Sequence, residues 1–294
     1  MFLADHMVLS GHRALIHSYA KINLSLDVLG KRDNGYHDVE MIMQTLNLFD
    51  LLMIDRTERG ISVATNLKYL PTGEKNLAYR AAKAFFEATG LPGGVRINIQ
   101  KNIPVAAGLA GGSGNSAAVL CAMNALFNAG LSEQQLCEIS APLGADIPYC
   151  LTGGTQLAQG IGEKLTSLAP MPKTTVLLVK PPINISTAAV YAQIDSAPIA
   201  KRPDTRELIS ALEQADLRAV SSGLCNVMES VTSRMHPVIR GIREKMLLNG
   251  ALGSIMSGSG PTVFGLFLDE KKAKQSADSF ALQFKDVFLT KTLN

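Results

Sequence analysis

The segment Pro104–Gly114 reads Pro-Val-Ala-Ala-Gly-Leu-Ala-Gly-Gly-Ser-Gly. Before it, Val95, Ile97 and Ile99 alternate with Arg96, Asn98 and Gln100, the period of a strand, and after it Ala117–Ala129 reads as a helix closed by Gly130. Strand, glycine-rich loop and helix in that order can aim backbone N–H groups and a positive helix end at an anion, with phosphate the obvious ligand. Gly108, Gly111, Gly112 and Gly114 permit positive φ and close approach of the backbone, while Ser113 and Ser116 add hydroxyls for phosphate oxygens or a metal's water shell. A plain turn would use the same glycines, so the loop alone leaves both readings open. The spacing is not GxGxxG, and no lysine follows as GxxxxGK[ST] demands. HRD and DFG are absent too, which sets aside the common dinucleotide, P-loop and protein-kinase arrangements.

Other residues could act on what such a loop holds. From Tyr19, Ala20, Ile22, Leu24, Leu26 and Val28 point one way and Lys21, Asn23, Ser25 and Asp27 the other, so a half-buried strand puts Lys21 and Asn23 on one face. The turn Lys31–Gly35 then leads to Tyr36-His37, an aromatic face beside an imidazole. Asp146, just before Ile147-Pro148, suits either a helix cap or a proton acceptor. Further strands are expected at Leu51–Arg56, Ile61–Thr65, Thr175–Lys180, Ser254–Met256 and Thr262–Leu268. Helices are expected from Leu77 after an Asn76 cap, after Ser132 with Gln135 at capping-box spacing, and from Glu270.

With 294 residues, 47% of them apolar, the chain can bury a substantial core. The pattern gives an α/β (α+β) chain of two domains, 1–165 and 166–294, with no fixed repeat. A net charge of +3 without a dense basic stripe argues against nucleic acid and suits a small anionic ligand. Four dispersed cysteines without a CxxC pair read as reduced core thiols. Neither a signal peptide nor a long apolar run is present, so the expected setting is the cytoplasm, with no membrane partner.

Three motifs together resemble the GHMP small-molecule kinases: AKINLSL at Ala20–Leu26, PVAAGLAGGSGNSAA from Pro104, and MSGSGPTVFGLF from Met256. The NGYH that follows AKINL, with GADIPYC at 144–150, is similar to the branch whose substrate carries a cytidine diphosphate group. The resemblance implies an N-terminal ribosomal-protein-S5-like α/β domain and a C-terminal ferredoxin-like domain. It also implies ATP, Mg2+, and phosphoryl transfer to the 2-hydroxyl of a methylerythritol in non-mevalonate isoprenoid synthesis, by a monomer or homodimer. Lys21 and Asp146 would be the catalytic pair. Pro104, Val105, Ala106, Ala107, Gly108, Leu109, Ala110, Gly111, Gly112, Ser113 and Gly114, with Asn76 and Lys101, would hold ATP. Asn23, Tyr36, His37, Thr187 and Tyr191 would line the acceptor site, Tyr36 and His37 at the cytosine and Tyr191 as a second stacking surface. Many family members read GGGLGGGSS in the loop, where this chain has Ala106, Ala107, Ala110 and Gly114. Two alternatives are a GHMP kinase for homoserine, a sugar or mevalonate, against which Tyr36-His37 argues, and a ligand-sensing module without catalysis, against which Lys21 and Asp146 argue.

Overall fold

A computed structural model describes residues 2–196 and 199–294, and these form two compact units, each assembled from several chain segments. Among the described residues the first comprises 2–20, 48–105 and 110–153, and the second 21–47, 106–109, 154–196 and 199–294.

In chain order, a 3-10 turn (Phe2–His6) precedes β1 (Met7–Ser10) and two long strands, β2 (Arg13–Lys31) and β3 (His37–Thr57). Then come β4 (Gly60–Thr65), α1 (Leu77–Thr89), β5 (Gly94–Gln100), α2 (Gly111–Leu126), α3 (Glu133–Ser140) and α4 (Ile147–Thr152). The start of β2 pairs with β1, and Leu51–Thr57 of β3 lies antiparallel to β5, which is parallel to β4. Asn76 caps α1 through its side chain, Gly90 closes it in the left-handed conformation, and Ser132 and Gln135 form the capping box of α3. Phe85 of α1 and Ala117–Met123 of α2 are fully or almost fully buried, since a helix apolar on every side is stable only inside a core.

The second unit holds the remainder of β2 and β3. Met41–Gln44 pairs with β6 (Thr155–Gln159), which pairs with β7 (Lys164–Ser167). Next follow β8 (Thr175–Lys180), α5 (Thr187–Ile194), α6 (Thr205–Glu213), α7 (Leu217–Ser222), β9 (Cys225–Asn226), α8 (Val227–Met235), α9 (Val238–Leu248), β10 (Gly253–Met256), β11 (Val263–Phe267), α10 (Glu270–Ala281) and β12 (Asp286–Lys291). The sheet β10-β11-β8-β12 is antiparallel throughout, with β8 and β11 buried along most of their lengths. Its β-α-β-β-α-β order is that of ferredoxin-like domains.

Two local expectations are corrected. The strand carrying Lys21 is not half-buried: Lys21, Asn23, Ser25 and Asp27 are all buried, the first at 4% exposure, because polar partners close over that face too. Helix α2 begins at Gly111 rather than Ala117, so most of the loop's glycines lie in its first turn. The cysteines are free thiols as expected, and burial pushes Cys121 up to about 11.

Candidate active site

The glycine loop is built from both ends inward. Strand β5 stops at Gln100, and its continuation is pinned by Asp50, a fully buried carboxylate on β3. One Asp50 oxygen accepts the backbone N–H groups of Asn102 (2.7 Å) and Ile103 (2.8 Å), just before Pro104. The other accepts from the Lys101 ammonium and from Asn115 Nδ2 (2.9 Å), in the first turn of α2. Lys101 Nζ also donates to Asn115 Oδ1 at 3.1 Å, and Asn115 Nδ2 to Ser18 Oγ at 3.1 Å. A carboxylate and an ammonium this deep must be paired and hydrogen-bonded, and here they are.

Above this network the glycines are needed for space more than for torsion. A Cβ on Gly111 would lie 3.1 Å from Lys101 Nζ, and one on Gly114 would lie 2.6 Å from Ser18 Oγ. The left-handed residues are instead Ala106 (φ 51°), Gly108 (φ 74°) and Ala110 (φ 57°), so two of the alanines that replace family glycines keep a glycine-like backbone. Ala110 supplies no side-chain acceptor to the start of α2, which leaves the first N–H groups available to an external anion. Ser116 Oγ donates to Gly112 O (3.2 Å) and is buried, so Ser113 is the loop hydroxyl open to a ligand.

Two more predicted residues lie in this unit. Asn76 is used as a cap: its Oδ1 accepts from Ala78 N (2.9 Å) and its Nδ2 donates to Pro71 O (2.7 Å). Asp146 occupies the cap position of α4, yet its carboxylate makes no capping bond, and Ile147-Pro148 supply the first helical residues. The Asp146 side chain is half-buried.

The loop tip, Ala106–Leu109, belongs to the second unit. Lys21 N donates to Leu109 O (3.2 Å), and Ser257 Oγ donates to Gly108 O (3.0 Å). A Cβ on Gly108 would collide with Ser257 O, so both φ and contact demand glycine there. The Ser257–Gly260 turn is itself held by Asn226 Nδ2, which donates to Met256 O and Gly258 O, both at 2.8 Å. Lys21 Nζ donates to Asn23 Oδ1 at 2.7 Å, and Asn23 Nδ2 lies 3.2 Å from Met41 Sδ, so the lysine and asparagine predicted to share a face do so in contact.

The predicted base-reading residues separate. His37 is buried and stacked on Tyr191, with centroids 4.4 Å apart and planes 14° off parallel, whereas Tyr36 is 60% exposed on the turn. His37 Nε2 shares a 2.7 Å hydrogen bond with Asp195 Oδ1, and Lys31 reaches the other Asp195 oxygen at 3.3 Å. The hydrogen bond from His37, aided by Lys31, holds the Asp195 carboxyl below its ordinary range. At the start of α5, Thr187 Oγ1 is 2.8 Å from Ser259 Oγ. Sequence reading misses Asp50, Asn115 and Asp195. Asp50 carries a signal, because it shares the inward parity of Leu52 and Ile54, where a lone carboxylate needs a partner. Asp195 carries none, since its partner His37 lies 158 residues away.

Known proteins place this geometry. Family models described as "GHMP kinases N terminal domain" and "GHMP kinases C terminal" match residues 76–154 and 201–286. A 4-diphosphocytidyl-2-C-methyl-D-erythritol kinase of Clostridium novyi is 49% identical over 94% of this chain and 99% of its own length. One from Caldicellulosiruptor saccharolyticus is 47% identical over 95% of this chain and 96% of its own. A crystal structure of 4-(cytidine 5'-diphospho)-2C-methyl-D-erythritol kinase superposes with a TM-score of 0.81 at 32% identity, covering 95% of this chain and 99% of that one. A homoserine kinase from Cytophaga hutchinsonii, at 18% identity and a TM-score of 0.76 over 97% of this chain and 96% of its own, shares the fold. With nearly half of all positions identical to these relatives over almost the full chain, the protein belongs to the 4-diphosphocytidyl-2-C-methyl-D-erythritol kinase family of GHMP kinases.

Proposed function

We propose that this chain is a cytoplasmic, ATP-dependent kinase, monomeric or homodimeric, that phosphorylates the 2-hydroxyl of 4-diphosphocytidyl-2-C-methyl-D-erythritol. The observation that carries the reading is the glycine loop, whose Cα atoms lie where side chains would strike Lys101, Ser18 and Ser257, in front of a helix with no side-chain cap. Residues 104–114 cradle the phosphates with backbone N–H groups, Lys101 offers the nucleotide an ammonium proton beyond the two it shares with Asp50 and Asn115, and Asn76 borders the nucleoside. Bound ATP with Mg2+ supplies the phosphoryl group and offsets its charge. Among the described residues no cluster of three His, Cys, Asp or Glu side chains could hold a metal by itself, and Ser113 would be the loop hydroxyl available to a magnesium ion, which would offset phosphate charge there.

Asp146 accepts the proton of the acceptor hydroxyl, and Lys21, oriented by Asn23, stabilises negative charge on the attacking oxygen. Tyr36 and Tyr191 give the cytosine stacking faces, His37 reads its polar edge, and Thr187 borders the acceptor. We assign residues 1–165 and 166–294 to the two family domains, with one family-model match on each side of that division. The test is ADP release by the purified chain with the cytidylyl acceptor, homoserine or mevalonate. Release should depend on the cytidylyl acceptor, and equal release with homoserine or mevalonate contradicts the assignment.

A further inference from the structure

We infer that Asp50 is the positioning residue of the phosphate loop: a single buried carboxylate that ties the loop's two ends together. This rests on the reading of residues 104–114 as the nucleotide cradle. A carboxylate can accept along several directions, and Asp50 divides them between two chain segments. One oxygen takes the N–H groups of Asn102 and Ile103, at the end of the incoming strand. The other takes Lys101 Nζ and Asn115 Nδ2, the latter from the first turn of the outgoing helix. Lys101 closes the ring by donating to Asn115 Oδ1, and its ammonium lies directly beneath Gly111, where a Cβ would be 3.1 Å away. The direction in which the first N–H groups of α2 point is therefore fixed by the same atoms that fix the end of β5. Asp50 and the side chain of Lys101 are 0% and 6% exposed, so water cannot take over either role. Asp50 touches neither nucleotide nor acceptor in this account and acts through Lys101, Asn115 and the backbone.

An asparagine at position 50 separates positioning from mere packing. Its oxygen can still accept from Asn102 and Ile103, but its amide would face the Lys101 ammonium and the Asn115 amide, donor against donor. Adding Asn115→Asp restores a carboxylate to Lys101 and an acceptor to the new amide. The experiment measures KM for ATP and for the cytidylyl acceptor on Asp50→Asn, on Asp50→Asn/Asn115→Asp and on the wild type, well below each unfolding midpoint. Asp50→Asn should raise KM for ATP by about tenfold or more while KM for the acceptor stays within about twofold, because a misaimed cradle costs nucleotide binding first. The double variant should recover most of the loss. A folded Asp50→Asn whose ATP KM matches the wild type, or a double variant no better than the single one, overturns the role. If Asp50→Asn does not fold, Asn115→Ala leaves Asp50 paired with Lys101 and the incoming strand but removes the outgoing arm, together with Lys101's second acceptor and the donor to Ser18; the same split supports the role and an unchanged ATP KM overturns it. A wild-type chain that neither binds nor consumes ATP overturns the functional reading itself, and this role with it.

Discussion

The Asp50–Lys101–Asn115 network and the His37–Tyr191–Asp195 group are both ion-paired clusters assembled from distant segments, yet they are built in opposite ways. In the first the Asp50 carboxylate is fully buried and accepts from four donors, with the Lys101 side chain only 6% exposed beside it. In the second Asp195 is 31% exposed and its partner Lys31 57% exposed, and two rings stack with nothing between them. Under the proposed roles, in which cytosine stacks on Tyr191 and His37 reads its edge, a base on the Tyr191 face that His37 covers would require the two rings to part from their 4.4 Å separation. Under those roles the phosphate cradle is complete before ligand arrives, whereas the base-reading group would open to admit it. Phosphates present the same geometry in every turnover, so a preformed site loses nothing by rigidity. A group that admits and releases a planar base needs weaker, water-accessible contacts.

The same substitution in the two clusters gives the widest contrast. Asp50→Ala strands the Lys101 charge and leaves two backbone N–H groups unpaired, so it should lower unfolding free energy by about 3–5 kcal/mol in urea titrations. Asp195→Ala, at a carboxylate open to water on one side, should lower it far less by the same method. Comparable losses would erase the distinction between the clusters. For the loop tip, Gly108→Ala drives a Cβ into Ser257 O at a left-handed residue, and kcat/KM for ATP should fall by about 100-fold. Tyr191→Ala should act on the other substrate, raising KM for the cytidylyl acceptor by about tenfold, the order of one lost base–aromatic stack, with KM for ATP unmoved.

Proton linkage separates the clusters further. Pairing with His37 and Lys31 depresses the Asp195 carboxyl, so the folded chain binds fewer protons there than the unfolded chain. The stability from that group is therefore complete above the ordinary carboxylate range and is lost as pH falls through the depressed value. The stability difference between wild type and Asp195→Asn should accordingly be present at neutral pH and shrink in acid; a difference that grows in acid would reverse the sign. The smallest effect belongs to Ala110→Gly. Relief of a left-handed alanine, worth about 1–2 kcal/mol, is mostly offset by glycine's extra freedom in the unfolded chain, leaving a gain below about 1 kcal/mol in thermal unfolding.

Much of this molecule is legible in its sequence where the governing signal is local. The alternation before Pro104, the glycines after it, the Asn76 cap, the Gly90 stop and the Ser132–Gln135 box each depend on neighbours within a few positions. The start of α2 is not legible, because Gly111–Asn115 are poor helix formers held helical by packing on Ile103, Lys101 and Ser18. Lys21 and Asn23 are legible as one strand face, but their burial depends on side chains that arrive from elsewhere. The clusters that distinguish the two halves of the chemistry are the least legible. Asp50 finds Lys101 across 51 positions, and His37 finds Asp195 across 158.

Amide hydrogen exchange on the free chain and on the chain with the cytidylyl acceptor tests the division between a finished cradle and an opening reader most directly. Residues 101–103 and the first turn of α2 should be protected in the free chain and unchanged by the acceptor, while the segments around His37 and Tyr191 should exchange faster when free and slow on binding. Rapid exchange at Asn102 and Ile103 in the free chain, or a binding response shared equally by both clusters, would contradict it.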